Sequence, residues 1–334
     1  MSQVSTVLRV AIMRLNTMHH VTLSVLLMLL TVLLGAILFI VSLSTHYLTA
    51  NSTQILAVSE HGNASEIDVE YCAIMYSANV SKLFNYKFSY IILDPDEVNR
   101  SDIIEIREHI PNVKILAYVN IGLAESWRSY WEKVLSLGIV HGESEYSGEY
   151  YVEYWSSKWM NIIHNIVLNA CKKGFDGVML DNLDVCMVLK YSNFSWVPRD
   201  PCALMISVVK DVYNFSKRVC GRRFLIFVNI GSAINLLKNS SLLSSIDGVL
   251  REESIYMWNG DKCVPVDNST SRYILTQLST VRRLGKTVIL VECVENMSMV
   301  YRVARIAAKY GFCIVPQPAW DPNYEGPPLV PAGK

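Results

Sequence analysis

Acidic side chains stand at the ends of four short apolar segments of this 334-residue sequence. The acids are Asp94 after SYIIL, Asp181 after FDGVML, Glu252 after IDGVLR and Glu292 after TVILV. A carboxylate that follows an apolar strand must point into a polar mouth or at a basic partner, because burying it alone is costly. Two carboxylates that face each other supply the acid and the nucleophile, or the base, that hydrolysis of a glycosidic bond requires.

Two of these acids, Asp181 and Glu252, occupy matched positions. Each lies five residues after the Asp of an Asp-Gly pair, in FDGVMLD and IDGVLRE. Asp and Asn are also favoured N-caps at strand-to-helix turns, and for Asp94, which precedes Pro95, the two explanations are equally good. For Asp181 and Glu252 the matched spacing favours a shared chemical role, with burial and mutual repulsion separating their pKa values.

Three further segments end in residues suited to binding. Asn120 and Asn229 lie in the similar sequences YVNIG and FVNIG, and Trp155 ends YYVEYW. The aromatic residues that could stack on sugar rings are Trp127, Trp131, Tyr154, Trp155, Trp258 and Trp320. Packing at the rim is the alternative for these rings, and it is the better explanation for Trp131 and Trp159, which fall in helical segments.

Other kinds of chemistry find little support in the sequence. Neither GxSxG nor HExxH occurs, and histidines are few. The eight cysteines form no CxxC pair, so their spacing argues against a zinc site. Basic and acidic residues number 30 each, so the charge gives no reason to expect a nucleic-acid partner. We therefore expect no cofactor and no metal, with carboxylates as the reacting groups.

A strand–helix alternation that begins near residue 69 would position these residues. Eight apolar strand candidates recur, one ending at Asp94 and the others covering 113–122, 150–155, 175–181, 223–231, 246–252, 287–292 and 312–315. Eight such units over about 265 residues predict an α/β fold, a (β/α)₈ TIM barrel whose site lies at the C-terminal ends of its strands. A doubly wound open sheet is the rival, but it usually has fewer strands and a Gly-rich phosphate loop, and no such loop occurs.

The N-terminal region is apolar over residues 21–41 and holds no charged residue between Arg14 and Glu60. Such a run is long enough to cross a bilayer and longer than the apolar part of a cleavable signal peptide, which is the alternative. Arg9 and Arg14 precede it, and the next basic residue is Lys82, so the positive-inside rule leaves the N-terminus in the cytoplasm. We expect a cytoplasmic segment at 1–20, a transmembrane signal anchor at 21–43, a polar stalk at 44–68 and an extracytoplasmic barrel domain at 69–334.

Two features after residue 43 agree with an exported domain. Asn-X-Ser/Thr sequons occur at Asn51, Asn63, Asn79, Asn99, Asn193, Asn214, Asn239, Asn268 and Asn296, where glycans could be attached. All eight cysteines also lie in this part of the chain, so disulfides are expected in an oxidising exterior. Cys186 and Cys202 flank one loop and are the first candidates for a bridge, although the sequence alone leaves the pairing open.

The C-terminal stretch 316–334 holds six of the eleven prolines, which forbids a final regular helix. We expect it to cross the barrel mouth as a loop. Trp320 and Tyr324 would there reach a bound sugar or, in the simpler alternative, seal the rim.

Four segments together resemble the GH114-type glycoside hydrolases, the TIM-barrel family that includes endo-α-1,4-polygalactosaminidases. They are AYVNIGLAESWRSYW (117–131), VEYWSSKWMNII (152–163), GFDGVMLDNLDVC (174–186) and IDGVLREES (246–254). The resemblance covers roughly residues 70–325, and its most specific element is the block GFDGxxLDNxD. It implies a TIM barrel and a membrane-anchored, exported enzyme that cleaves an amino-sugar-containing polysaccharide. The second strand ends in Asn120-Ile121-Gly122 where the family more often has Ser before the Gly, which leaves the sugar open.

The resemblance also implies roles for individual residues. Asp181 matches the Asp of the LDNxD block and Glu252 the acid after the DGxxx segment, so these are the implied catalytic carboxylates. Glu253 follows directly, and an alignment slip of one residue would exchange it for Glu252. The implied substrate-binding residues are Asp94, Asn120, Glu125, Arg128, Trp155, Asp184, Asn229, Glu253, Glu292 and Trp320. The alternative function is a non-catalytic carbohydrate-binding or cell-envelope protein on a barrel scaffold.

Overall fold

The computed structural model describes residues 67–332 of the chain. Within them the strands are β1 (Tyr71–Met75), β2 (Phe88–Leu93), β3 (Lys114–Asn120), β4 (Leu123–Glu125), β5 (Val140–Glu143), β6 (Glu149–Val152), β7 (Gly177–Asp181), β8 (Leu225–Asn229), β9 (Gly248–Glu252), β10 (Tyr256–Trp258), β11 (Cys263–Pro265), β12 (Thr287–Val294) and β13 (Cys313–Pro318). The α-helices are α1 (Arg100–His109), α2 (Trp131–Ser136), α3 (Ser157–Lys173), α4 (Val185–Tyr191), α5 (Pro201–Val219), α6 (Ser240–Leu243), α7 (Asn268–Arg283) and α8 (Met297–Tyr310), and 3₁₀-helices cover Val80–Leu83 and Gly231–Lys238.

Eight of these strands form a closed parallel barrel in the order β1, β2, β3, β7, β8, β9, β12 and β13. The pairing of Tyr71 with Ile314 closes it between its first and last strands. Helices connect successive strands, as parallel pairing requires. The predicted α/β fold of the (β/α)₈-barrel type is thereby confirmed.

Side chains that alternate along the barrel strands divide the core into two parts. One set points into the barrel and forms its own cluster, which includes Ile74, Ile92, Met179, Phe227 and Leu250. The other set points outward and packs under the helices. Because the interior is filled by these side chains, only the residues at the C-terminal strand ends are left to meet a ligand.

One predicted barrel strand is wrong and one was missed. The segment 150–155 is not part of the barrel, since Glu149–Val152 pairs antiparallel with β4 and β5 in a small separate sheet. The first barrel strand is instead Tyr71–Met75, whose five side chains are all buried. Its sequence YCAIM is short and contains Cys and Ala, so it lacks the β-branched run that marked the other strands.

Three disulfides stabilise the described part of the chain. Cys186 pairs with Cys202, which confirms the predicted bridge. Cys72 pairs with Cys313 and so joins the first and last barrel strands from the inside. Cys263 pairs with Cys293 and fastens the hairpin of β10 and β11 to the end of β12.

The predicted membrane-anchored localisation must be corrected. Within residues 67–332 no helix is long and apolar enough to cross a membrane. The longest of these helices, α5, has 19 residues but carries Lys210, Asp211, Lys217 and Arg218. The predicted cytoplasmic segment at 1–20, the anchor at 21–43 and nearly all of the stalk at 44–68 lie outside the described residues.

Candidate active site

The C-terminal strand ends bring one inward-facing side chain from each barrel strand to a common mouth. By the alternation along each strand these are Tyr76, Asp94, Asn120, Asp181, Asn229, Glu252, Cys293 and Gln317. Asp181 and Glu252 therefore both face inward at the C-terminal ends of β7 and β9, with β8 between them. The matched spacing in the sequence corresponds to matched positions in the fold.

Asn229, at the end of β8, holds the two carboxylates together. Its Nδ2 donates to Asp181 Oδ1 at 2.9 Å and to Glu252 Oε1 at 3.1 Å. These two bonds limit the separation of the acceptor oxygens to about 6 Å, and it is about 5 Å when each carboxylate receives its own amide hydrogen. This separation is that of the carboxyl pair in retaining glycosidases, about 5–5.5 Å, and is shorter than the ~6.5–9.5 Å of inverting ones.

The electrostatics of the two carboxylates differ. Burial raises the pKa of Asp181, but hydrogen bonds from the Asn182 backbone, Asn229 and the Tyr118 hydroxyl oppose the rise. Burial and, to a smaller extent, repulsion from Asp181 raise the pKa of Glu252 to about 7. The hydrogen bond from Asn229 opposes this rise. Asp181 is therefore the better stabilised anion and Glu252 the better proton carrier near neutral pH.

The chain makes an unusual turn directly after each carboxylate. Asn182 has φ 59° and Glu253 has φ 53°, both in the left-handed region that side chains other than Gly rarely adopt. Tyr324, which lies at the same mouth, has φ 55°. Such strained residues cluster at functional sites, where the surrounding structure holds them in place.

Glu149 is a third carboxylate at the mouth, and it was not among the predicted site residues. It begins β6, outside the barrel, and its Oε2 accepts from Asn120 Nδ2 and Asn182 Nδ2, each at 3.3 Å. Burial, with repulsion from Glu125 and Asp181, raises its pKa to about 7. Its only sequence signal is that it opens the alternating stretch EYYV.

Three tyrosines form one wall of the site. The rings of Tyr76 and Tyr118 lie 5.1 Å apart and those of Tyr76 and Tyr324 5.3 Å apart. Burial and the nearby carboxylates raise the pKa of each hydroxyl, so all three remain protonated donors. The C-terminal loop that carries Tyr324 crosses the mouth as expected, since the Tyr76 amide donates to its carbonyl at 2.8 Å.

Arg128 forms ion pairs with both Asp94 and Glu125. The Arg128 guanidinium donates to Asp94 Oδ1 at 2.7 Å and to Glu125 Oε2 at 2.8 Å, and Asp96 accepts a further bond at 3.1 Å. Glu125 and Arg128 are buried. Arg128 also lies 5.7 Å from the centre of the Tyr118 ring. The network packs against the Tyr118 ring of the tyrosine wall, and the nitrogens of Arg128 already have carboxylate partners.

Three other predicted binding residues hold loops. Asp184 Oδ2 accepts from the Ser232 amide at 2.8 Å and its hydroxyl at 3.0 Å, and a Cβ at Gly231 would collide with this carboxylate. Glu292 lies on the outward face of β12 and is fully buried. Its carboxylate accepts three backbone N–H bonds, from residues 254–256. Burial raises its pKa to about 8, although these three bonds oppose the rise. Glu253 Oε1 accepts from the Trp258 amide at 2.8 Å.

The tryptophans are placed differently from one another. Trp155 packs against Tyr154 and Trp196, with ring centres 4.8 and 6.0 Å away. Trp320 is 65% exposed. Trp258 is 40% exposed and lines a cleft of about 150 Å³ with Glu252, Glu253 and Tyr324. Of the three, Trp258 is the ring that lines the same cleft as Glu252, and the Cys263–Cys293 bridge fastens its hairpin to β12.

Within residues 67–332 no group of three or more His, Cys, Asp or Glu side chains is arranged to hold a metal ion. The arrangement at the mouth can hold one ionised and one protonated carboxyl about 5 Å apart, beside tyrosine donors and an exposed tryptophan.

Comparison with known proteins identifies relatives of this barrel. The model of glycoside-hydrolase family GH114 matches residues 74–298. An uncharacterized protein of Thermotoga maritima is 25% identical over 281 residues, covering 78% of this chain and 81% of its own. One of Deinococcus radiodurans is 23% identical over 230 residues, covering 67% and 71%.

Two solved structures share the fold. The glycoside hydrolase domain of PelA from Pseudomonas aeruginosa superposes with a TM-score of 0.59 at 14% identity, covering 74% of this chain and 95% of that domain. Aspergillus fumigatus Ega3, solved in complex with galactosamine, gives a TM-score of 0.55 at 17% identity, covering 75% and 90%.

Proposed function

The chain belongs to glycoside-hydrolase family GH114 and is a glycoside hydrolase, and from this premise we propose that it cleaves an amino-sugar polysaccharide internally, with Asp181 and Glu252 as the catalytic pair. The observation that carries the proposal is the Asn229 amide, which donates to both carboxylates at once. Their separation of about 5 Å supports a retaining, two-step reaction of the endo-α-1,4-polygalactosaminidase type.

In the first step Asp181 attacks the anomeric carbon while Glu252 gives its proton to the departing glycosidic oxygen. The glycosidic C–O bond breaks and a bond to Asp181 forms. In the second step Glu252, now ionised, takes a proton from water, and the resulting hydroxide displaces Asp181 with net retention of configuration. The opposed environments of the two groups support this division, because Asp181 receives three stabilising hydrogen bonds and Glu252 has a pKa of about 7.

The charge of the cleft supports a cationic sugar. Glu149, Glu253 and the catalytic pair all lie at one mouth. Arg251 offsets part of this negative charge, and Arg128 is already paired with Asp94 and Glu125. A protonated amine on the substrate would compensate this surplus of carboxylates, whereas an N-acetylated sugar would not. The galactosamine bound to Ega3, which shares the fold, is a sugar of this kind.

A non-catalytic carbohydrate-binding role is the weaker candidate. It needs no carboxyl pair at a catalytic distance, and the shared Asn229 amide would then have no chemical purpose. No observation on the described residues favours it over hydrolysis.

Digestion of defined polymers tests the proposal. The full-length chain is incubated with α-1,4-linked galactosamine polymer, with its N-acetylated form and with a glucosamine polymer, and product sizes are measured by mass spectrometry. We expect oligosaccharides from the galactosamine polymer and little from the N-acetylated one. Release of products from the N-acetylated polymer alone would contradict the substrate class, and no cleavage of any polymer would contradict the function.

The variant Glu149→Gln separates charge recognition from chemistry. Removal of one negative charge at the mouth is expected to raise KM for the galactosamine polymer about tenfold, equivalent to about 1.4 kcal/mol of binding. Glu132→Gln, the same substitution at an exposed position of α2, serves as the matched control and should leave KM unchanged. An unchanged KM in Glu149→Gln would show that this carboxylate does not contribute to recognition.

A further inference from the structure

Helices α3 and α5 lie side by side on the outside of the barrel and run in the same direction. At their beginnings the Tyr154 hydroxyl donates to the Pro201 carbonyl at 2.8 Å. In the middle, the His164 ring stacks on Phe215 with centres 3.9 Å apart, and its Nε2 lies 3.3 Å from the Asp211 carboxylate. The residue numbers of contacting partners therefore differ by about 47 to 51 at both points, as expected for two parallel helices with equal rise per residue.

The same register brings two cysteines together at the far end. Cys171 lies in the last turn of α3 and Cys220 is the C-cap residue of α5, a difference within that range. Both side chains are partly buried and pack against the same core. Both are free thiols in the structure, and Cys171 is near enough to contribute to the raised pKa of Cys220. The helix register and this proximity agree on one neighbour for each thiol.

We propose that Cys171 and Cys220 form a fourth disulfide, which ties the C-terminal ends of α3 and α5 to each other. The other six of the eight cysteines are already paired, so the chain would then contain no free thiol. The bond closes a loop of about 50 residues, long enough to restrict the unfolded chain substantially. This inference does not depend on the proposed substrate or on the catalytic pair.

The reaction is a thiol–disulfide exchange with a small-molecule or protein disulfide as the oxidant. One thiolate attacks a sulfur of the oxidant and releases its first thiol, and the second cysteine then attacks the mixed disulfide and releases the other. Two protons and two electrons leave the cysteines, and the oxidant is reduced to two thiols. Burial and the neighbouring Cys171 raise the pKa of Cys220 to about 12, so the exchange is expected to be faster at alkaline pH.

Intact-mass measurement tests the proposal on the unmodified chain. The full-length protein is incubated with oxidised glutathione at about pH 8.5 and denatured. One portion is treated with a maleimide directly and a second portion after reduction, and the mass of each is measured. We expect no maleimide adduct before reduction, eight adducts after it, and one linked peptide that contains Cys171 and Cys220. Two maleimide adducts before reduction, mapped to these cysteines, would overturn the proposal.

Single and double variants give an independent readout. If the bond exists, Cys171→Ser, Cys220→Ser and the double variant each remove the same cross-link, so all three should lose several degrees of Tm by the same amount. If the cysteines act only as separate side chains, the two losses should add in the double variant. Additive losses therefore count against the bond, and the mass measurement stands even if a variant does not fold.

Discussion

At the level of single residues, the site depends on an amide placed between two acids. Asn229 Nδ2 has two hydrogens and donates one to each carboxylate. An acid at this position would repel both neighbours, and an apolar residue would remove the one side-chain donor that they share. The amide lowers the pKa of both, while burial and their mutual repulsion raise that of Glu252. The balance leaves Glu252 able to exchange a proton near neutral pH.

The pH dependence of catalysis follows from this balance. Since the acid must be protonated, kcat/KM is expected to fall as pH rises through about 7, the pKa of Glu252. The negative charge of Glu253 contributes to that raised pKa, so Glu253→Gln should lower it and move the basic limb of the profile down by about half a pH unit. The profile of kcat/KM against pH is the measurement.

Asp261→Asn, at an exposed position of the same hairpin region, is the control and should leave the limb in place. A limb that moves to higher pH in Glu253→Gln, or one that does not move, would contradict the assignment of the basic limb to Glu252.

The sequence predicted part of this residue-level arrangement. Asp181, Glu252 and Asn229 each end an apolar strand, and the period of two places all three inward at the C-terminal end of the barrel. Glu292 also follows an apolar run, but β12 continues to Val294, so the same period places it on the outer face. Glu149 belongs to a strand outside the barrel, and only the folded chain brings it beside Asn120 and Asn182.

At the level of elements, segments inserted between barrel strands and helices build the walls of the cleft. The sheet of β4, β5 and β6 brings Glu149, the hairpin of β10 and β11 brings Trp258, and the loop after β13 brings Tyr324. Strand periodicity could not predict the small sheet or the hairpin, because both are short and pair locally. The ion network around Arg128 fastens the first of them to the barrel, since Glu125 lies on β4 and Asp94 follows β2.

Removal of the central cation should therefore destabilise the fold. Arg128→Ala would leave Asp94, Asp96 and the buried Glu125 without their partner, and it should lower the free energy of unfolding by about 3–5 kcal/mol. Lys133→Ala, an exposed change on α2, should stay within about 0.5 kcal/mol of the parent. Urea unfolding followed by circular dichroism measures both. A loss below about 1 kcal/mol in Arg128→Ala would show that the network contributes little.

Several sequons have a structural role at helix ends. The side chains of Asn99, Asn239 and Asn296 each accept a backbone N–H at the start of a helix, and Asn99 completes a capping box with Asp102. Asn followed by small polar residues is a common capping sequence, so capping explains the spacing of these three without any glycan. The sequence pattern could not separate the two explanations.

At the level of the whole molecule, the barrel is closed by backbone pairing and by a covalent bond. Cys72 and Cys313 lie inside it on its first and last strands, 241 residues apart in sequence. The alternation of strands and helices was sufficient to predict the architecture, because parallel strands need such connections. The bridge between its ends could not be predicted, since the eight cysteines allow many pairings.

Loss of this closing bridge should cost more than loss of a local one. In the chain-entropy description, the Cys72→Ala, Cys313→Ala double variant should lose about 2 kcal/mol more stability than the Cys186→Ala, Cys202→Ala double variant, whose loop spans 16 residues. Thermal unfolding of the two variants beside the parent measures the difference. Equal losses would indicate that native-state packing, and not loop closure, dominates both bridges.

We propose that Asp181 and Glu252 carry out hydrolysis, and the turnover of single-carboxylate variants measures the contribution of each. The measurement is the initial rate of reducing-end release from galactosamine polymer by Asp181→Asn and by Glu252→Gln, each checked for an unchanged Tm. We expect each variant to lose about 100-fold to 10,000-fold in kcat, the usual contribution of a positioned acid or base. A folded variant that retains kcat within about tenfold of the parent would contradict the assignment of that carboxylate.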